Sequence, residues 1–204
     1  FSPPGYEEFA TSDAIFRSDL PDASLREQEV ASGRGKLDDK GLATTSAKLA
    51  MPGQSGPELV TFEAEVTDLS RQSIASSSSA IVHPGEIYLA MRAGDAYFVP
   101  AGQAVTPEIF AVTPEGTKVS RAAVHVDLVQ RKWIVAKQKT AGSGYHSVSS
   151  PVDTVVASCD VTTSTAAASC PLTPSSGGYF LLRAKAQDAR GNPIATSTSF
   201  YATG

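Results

Sequence analysis

Apolar and polar residues alternate with a period of two along several stretches of this chain. The clearest are Phe-Glu-Ala-Glu-Val at residues 62–66, Val-His-Val-Asp-Leu at 124–128 and Leu-Arg-Ala-Lys-Ala at 182–186. Such a period puts successive side chains on opposite faces of a β-strand, one face buried and one in water. Long stretches with helical periodicity and without Gly or Pro are absent from the sequence. The pattern predicts a chain that is nearly all β.

Turn signals separate the alternating stretches. They include Asp-Lys-Gly at 39–41, Pro-Glu-Gly at 114–116 and Asp-Ala-Arg-Gly-Asn-Pro at 188–193. Short strands spaced by Gly, Pro, Asn and Asp turns are typical of antiparallel β-sandwiches. The fold class predicted here is therefore an all-β antiparallel sandwich.

The sequence also contains an internal repeat. Residues 66–79 align without a gap on residues 186–199, so that Asp68 aligns on Asp188, 120 positions later. In each copy the Asp begins a turn and an Ile opens the next strand. The repeat predicts that the last hairpin of a sandwich occurs twice, in two tandem domains.

The repeat places the domain boundary near the His-Pro-Gly at 83–85, which gives domains at residues 1–85 and 86–204. The first domain is shorter than the repeat implies. It is either a smaller sandwich or one whose first strands precede Phe1. We favour the second interpretation, an N-terminally truncated domain, because the chain lacks an initiator Met and has the character of an excised piece. Residues 1–22 are expected to lie extended along the first sandwich.

Composition and charge exclude two classes of function. The 204 residues are 41% apolar, and 17 basic against 21 acidic residues give a net charge of −4. Nucleic-acid and anionic-membrane binding need clustered positive charge, which is missing. No apolar run approaches the roughly 20 residues of a membrane span. We expect no nucleic-acid partner.

The two cysteines are predicted to form a disulfide. Cys159 and Cys170 flank a short connection that is rich in Thr, Ser and Ala. A metal pair or a reactive thiol is the alternative, but only Asp160 offers a further ligand nearby, so zinc is disfavoured. A persistent disulfide implies an oxidising compartment.

No motif in the sequence indicates catalysis. His83, His125 and His146 are scattered, and each is interpreted as a surface or turn residue. The acidic pairs at 7–8 and 38–39 are adjacent in loops, so their side chains need not converge. Nucleophile elbows, phosphate-binding loops and metalloprotease motifs are absent. We predict a protein that is not an enzyme, with no catalytic, cofactor-binding or metal-binding residue.

Trp133 is the one tryptophan of the chain. We interpret it as a half-buried edge residue at the end of the strand at 124–135, packed under the next loop. The alternative is a platform on which sugar rings stack, which predicts an exposed aromatic cluster around Trp133 and Tyr145.

Several stretches, taken in order, resemble bacterial alpha-2-macroglobulins. Residues 62–68, 80–84 and 87–89 look like the junction between two macroglobulin-like domains, and Tyr-Phe-Val-Pro-Ala-Gly at 97–102 resembles the entry of the following domain. The later parts of that domain are matched by residues 112–116, 129–133, 178–184 and 188–191. The resemblance covers most of the chain from about residue 25. Its specificity lies in the order and spacing of the motifs together.

The resemblance implies two tandem macroglobulin domains, the third and fourth, with an immunoglobulin-like or fibronectin-III-like sandwich fold. They would be non-catalytic structural domains of a broad-range endopeptidase inhibitor that traps attacking proteases. The implied partners are target proteases, met through the full-length parent, neighbouring macroglobulin domains and, in some members, a peptidoglycan-building transglycosylase. The implied location is the periplasm or cell envelope, with any membrane contact through a lipid anchor of the parent outside this fragment.

The sequence departs from the family pattern at its reactive group. The thioester signature Cys-x-Glu-Gln is absent, since Cys159 is followed by Asp-Val-Thr and Cys170 by Pro-Leu-Thr. A lipobox cysteine is also absent, and the bait segment is expected outside the fragment. No functional residue of the family can therefore be carried over. The alternative hypothesis is a pair of immunoglobulin-like adhesion or carbohydrate-binding modules of a bacterial surface protein.

Overall fold

The computed structural model describes residues 1–17, 28–49, 56–94, 97–139 and 145–204, apart from the side chains of residues 138, 139, 145 and 146. Within these ranges the chain forms ten strands and one four-residue helix, which confirms the all-β prediction. The elements are α1 (Ala14–Arg17), β1 (Glu58–Thr67), β2 (Ser73–Val82), β3 (Tyr88–Arg92), β4 (Phe98–Pro100), β5 (Glu108–Val112), β6 (Lys118–Val119), β7 (Ala123–Lys139), β8 (Tyr145–Thr162), β9 (Gly178–Gln187) and β10 (Pro193–Thr203).

Two sheets in the range 86–204 enclose one apolar core. The larger sheet has the order β4-β10-β9-β7-β8, and the smaller has the order β3-β5-β6. Neighbouring strands are antiparallel except β10 and β4, which are parallel. The fully buried side chains between the sheets include Leu89, Met91, Ile109, Leu128, Phe180, Leu182 and Phe200. Burying each such side chain contributes about 1.5–3 kcal/mol, so this core accounts for most of the stability of the sandwich.

The described part of residues 1–85 contains a single hairpin rather than a packed sandwich. Strands β1 and β2 pair with each other in register from Glu58 opposite Val82 to Thr67 opposite Ser73. The hairpin contacts none of the other described helices or strands, and most of its side chains are exposed. The division into domains 1–85 and 86–204, and the truncation of the first, stay predictions.

Residues 1–17, which we call the N-terminal segment, lie along the sandwich formed by residues 86–204, so for them the expectation of packing along the first sandwich is wrong. Residues 18–22 lie outside the described residues. Ala10 exchanges two backbone hydrogen bonds of 2.9 Å with Met91 of β3, and the Ser197 amide of β10 donates to the Ser12 carbonyl. Tyr6 is buried beside Phe110. Strand edges offer unpaired backbone groups, and the segment pairs with such groups on β3 and β10 while burying an aromatic ring.

A disulfide joins Cys159 of β8 to Cys170. Between the cysteines, Ala168 bridges Ile109 of β5 in the other sheet, and just after Cys170, Leu172 bridges Val105 in the segment that precedes β5. The chain-entropy estimate for closing a loop of this size is about 3 kcal/mol. The disulfide therefore holds β8 to the segment that closes one side of the sandwich.

Candidate binding face

The larger sheet has one face on the core and one face turned away from it, which we call the outer face. Strand alternation assigns the side chains: in β9, Phe180, Leu182 and Ala184 belong to the core, so Tyr179, Leu181, Arg183 and Lys185 project to the outer face. The candidate functional groups of the described chain lie on this face, in three zones along the strands.

Five aromatic rings cross the first zone, and we call them the aromatic row. Trp133 of β7 lies 5.3 Å from Tyr179 of β9, Tyr179 lies 5.0 Å from Tyr201 of β10, and Tyr201 lies 5.9 Å from Phe98 of β4, all between ring centroids. Tyr97 contacts both Phe98 and Tyr201. The row thus spans four strands, one ring per strand, with Tyr97 at its end.

The aromatic row is open to solvent. Trp133, Tyr97 and Phe98 are each more than half exposed, and Tyr201 is 38% exposed. No described group hydrogen-bonds to the hydroxyls of Tyr97, Tyr179 or Tyr201, so these hydroxyls can serve a ligand or a partner. Aromatic rings with polar tips suit surfaces that are covered on binding, either by a protein or by the apolar face of a sugar ring.

Trp133 therefore differs from the sequence interpretation. It lies within β7 rather than at a strand end, and its ring contacts Tyr179 of the same sheet. The loop after β7, under which the sequence predicts Trp133 to pack, lies outside the described residues. The aromatic cluster of the alternative interpretation exists, but with Tyr179 and Tyr201. The side chain of Tyr145 lies outside the described residues.

The N-terminal segment covers the second zone of the outer face. The Arg183 Nε donates to the Asp13 carboxylate at 2.9 Å, and Arg131 donates from two nitrogens to Asp153 at 2.7 and 2.8 Å. The Phe16 ring lies between these two cations, 4.3 Å from the Arg183 guanidinium and 5.1 Å from that of Arg131. Cation–π contacts with Phe16 favour Arg at both positions, and the bidentate ion pair with Asp153 further favours Arg at position 131. This zone is occupied by the chain itself.

A charged cluster forms the third zone, beside an open groove of about 790 Å³. The Lys185 Nζ donates to Asp127 at 2.7 Å, and His125 contacts both Asp160 and Asp127 at 2.8 and 3.0 Å. The hydrogen bond with Asp160 raises the pKa of His125, so this contact stabilises the fold most at acid pH and less as pH rises. Burial alone would raise the pKa of Asp127, but the Lys185 hydrogen bond and charge leave it lowered.

The other candidate residues do not converge. The His83 ring shares a hydrogen bond of 2.7 Å with the Tyr88 hydroxyl, and the Asp38 carboxylate accepts from its own turn. His146 lies in β8 rather than in a loop, and its side chain is outside the described residues. Among the described residues no serine, threonine or cysteine hydrogen-bonds to a histidine, and no three metal-ligating side chains cluster. Within the same ranges, no helix is long and apolar enough to cross a membrane.

Comparison with known proteins relates the whole chain to one kind of protein. No family model matches. The chain is 25% identical over 210 residues to an alpha-2-macroglobulin homolog of Nostoc sp., covering 100% of this chain and 10% of that protein. The chain thus spans about a tenth of the length of this curated relative.

Solved structures give the same correspondence for the fold. The native conformation of Escherichia coli alpha-2-macroglobulin superposes with a TM-score of 0.61 and 16% identity, over 98% of this chain and 13% of that one. The same E. coli protein activated by porcine elastase gives 0.54 and 16%, over 96% and 18%. Salmonella alpha-2-macroglobulin reacted with methylamine gives 0.53 and 15%, over 81% and 12%.

Proposed function

We propose, from the premise that this chain corresponds to a small fragment of a bacterial alpha-2-macroglobulin, that it is a non-catalytic structural part of a protein that traps proteases. The observation that carries the proposal is the continuous correspondence, which extends over 98% of the chain in the E. coli structure and over all of it in the Nostoc sequence. A match that long includes the hairpin, the junction and the sandwich together. The resemblance to bacterial alpha-2-macroglobulins is thereby confirmed, and the assignment to their third and fourth domains stays a prediction.

The junction between the hairpin and the sandwich is held in place by several contacts, which supports a role in transmitting domain movements. The Glu86 amide donates to the Asp188 carboxylate at 2.9 Å, and Arg190 forms an ion pair with Glu86 at 2.7 Å. A Cβ added at Gly85 would lie 2.5 Å from a methyl carbon of Ile194, so the chain passes close over the sandwich here. The turn at Asp188 thus anchors the segment that enters β3. A short anchored junction is suited to passing a rearrangement of one domain to the next.

The outer face offers a surface for contact with a neighbouring domain. In a multidomain protein we expect the aromatic row to be covered by a neighbouring domain, since Tyr, Trp and Phe are enriched at the cores of protein interfaces. We further propose a periplasmic or cell-envelope location, which the disulfide supports because disulfides persist in oxidising compartments.

Inhibition of porcine elastase tests the proposal. The 204-residue chain alone should leave elastase activity unchanged, because a trap needs enclosure by many domains. The full-length protein encoded by the same gene should shield elastase from large protein substrates while small peptide substrates are still cleaved. Direct inhibition by the isolated chain, or a full-length protein that leaves elastase fully active on large substrates, would contradict the proposal.

A second candidate function, a carbohydrate-binding module, is favoured by the aromatic row alone. Exposed rings and free hydroxyls on adjacent strands are suited to stacking against successive sugar rings. Because Trp133 is the one tryptophan, its fluorescence reports on this row.

Titration with soluble chito- and cello-oligosaccharides should then give a saturable change in Trp133 fluorescence that Tyr179→Ala removes. Phe62→Ala, an exposed aromatic residue of the distant hairpin, is the matched control and should leave the change intact. A flat signal across the panel would eliminate this second function.

A further inference from the structure

The two copies of the repeat can be compared residue by residue, because both form the same hairpin. In each, the Asp amide and carbonyl close the turn with Gln72 and Arg71 or with Asn192 and Gly191. The pair Val66–Ile74 in β1–β2 corresponds to the pair Ala186–Ile194 in β9–β10, 120 positions later. The two faces of one hairpin can therefore be equated with those of the other.

The face of β1–β2 that corresponds to the core face of β9–β10 is apolar but exposed. Phe62 is 55% exposed and Ile74 is 77% exposed, whereas their counterparts Leu182 and Ile194 are 0% and 6% exposed. The apolar positions of this face are Val60 with Phe180, Phe62 with Leu182, Ala64 with Ala184, Val66 with Ala186, Ile74 with Ile194, Ala80 with Phe200 and Val82 with Ala202. Ser76 and Ser78 share the face, as Thr196 and Thr198 do in the other copy. An isolated two-stranded hairpin is at best marginally stable in water. We therefore expect another part of the protein to cover this face.

The edge of β1 also carries charges that would select a partner strand. In the sandwich, β9 pairs with β7 along one edge, and the corresponding edge of β1 pairs with none of the described strands. On the outer side of β9, Lys185 binds Asp127 of that neighbouring strand, and Arg183 binds Asp13. The counterparts of Lys185 and Arg183 in β1 are acidic, Glu65 and Glu63, and both are exposed. The sign of charge is inverted at both positions, so a strand added here needs basic residues.

We propose that β1 and β2 are the exposed half of a second sandwich, and that this edge of β1 takes up an antiparallel β-strand of defined chemistry. That strand carries apolar residues facing Phe62 and Val66, and Lys or Arg opposite Glu63 and Glu65. It comes from polypeptide of the longer protein outside residues 1–204, together with an apolar sheet that covers the hairpin. Two observations support this source: the chain spans 10% of its curated relative, and none of the other described strands contacts the hairpin.

Hydrogen exchange, measured peptide by peptide, tests this proposal. In the 204-residue chain the amides of β1 and β2 should exchange fast while those of β9 and β10 are protected. In the full-length protein from the same gene the β1–β2 amides should slow by about 100-fold or more, because buried sheet amides open only through larger unfolding events. Equally fast exchange in the full-length protein would overturn the proposal.

Charge reversal tests the chemistry of the partner strand. In the full-length protein, Glu63→Lys with Glu65→Lys should raise β1–β2 exchange about tenfold or more and leave β9–β10 exchange unchanged. Glu29→Lys makes a charge change of the same sign at an exposed coil residue and should alter neither hairpin. An equal response to Glu29→Lys, or none to the double reversal, would overturn the predicted basic strand.

A second copy of the chain is the competing occupant of the hairpin. Concentration-dependent dimerisation of the 204-residue chain, with protection of β1 appearing only in the dimer, would overturn the proposal in favour of self-association. A monomer with an unprotected hairpin supports it. The inference needs the longer polypeptide but not protease trapping, so the exchange result and the elastase result can fail separately.

Discussion

Leu182→Ala should lower the free energy of unfolding of the 204-residue chain by about 2–5 kcal/mol. Leu182 is completely buried between the two sheets, so its truncation removes apolar burial and leaves a cavity that the surrounding side chains fill only in part. Urea unfolding followed by Trp133 fluorescence measures the change, because Trp133 lies on the larger sheet of the same sandwich.

The repeat provides the matched control for this substitution. Phe62 occupies the position equivalent to Leu182 but is 55% exposed, so Phe62→Ala should change the same unfolding transition by less than about 0.5 kcal/mol. The two hairpins have the same strand pairing and different surroundings, so the difference between the two losses reflects mainly the contribution of the facing sheet. A loss of about 2 kcal/mol or more for Phe62→Ala in this chain would mean that the apolar face of β1–β2 is already buried.

Strand periodicity predicted the fold because it depends on local alternation. The stretches at 62–66, 124–128 and 182–186 all lie within strands, namely β1, β7 and β9. Alternation identifies which residues share a face, but it cannot distinguish a covered face from an uncovered one. That is why the same pattern describes a buried face in β9 and an exposed face in β1.

The outer face could not be predicted from sequence because it depends on contacts between distant residues. Tyr179, Tyr201 and Phe98 are brought next to Trp133 by strand order, which the sequence does not state. The N-terminal segment uses Asp13 and Phe16 to cover Arg183, 170 residues away along the chain. The sequence does show aromatic and basic residues at alternate positions of the strands. This spacing predicts a shared surface only when the order of the strands in the sheet is known.

Asp188→Ala should lower the free energy of unfolding by about 2–3 kcal/mol near neutral pH. Its carboxylate accepts hydrogen bonds from the backbone amides of Glu86, Arg190 and Asn192 and from the Asn192 side chain. Burial alone would raise the pKa of Asp188, but these donors lower it from 3.8 to about 2. A carboxylate with a lowered pKa stabilises the fold above its ordinary pKa and loses that contribution as pH falls through about 2. Urea unfolding at pH 7 and at pH 2 measures both effects, and the variant and the parent chain should converge at the acid pH.

Asp68→Ala is the matched control, since Asp68 begins the same turn in the first copy of the repeat. Its carboxylate accepts a hydrogen bond from the Gln72 amide in an exposed hairpin, so the substitution should change the unfolding of the sandwich by about 0.5 kcal/mol or less. The excess cost at Asp188 then measures together the bonds that Asp68 lacks, which come from the Glu86 and Arg190 amides and the Asn192 side chain. Equal losses for the two variants would show that the bond between Asp188 and Glu86 does not stabilise the sandwich. The junction would then not be anchored at Asp188, and the proposal that domain rearrangements are transmitted through it would lose its support.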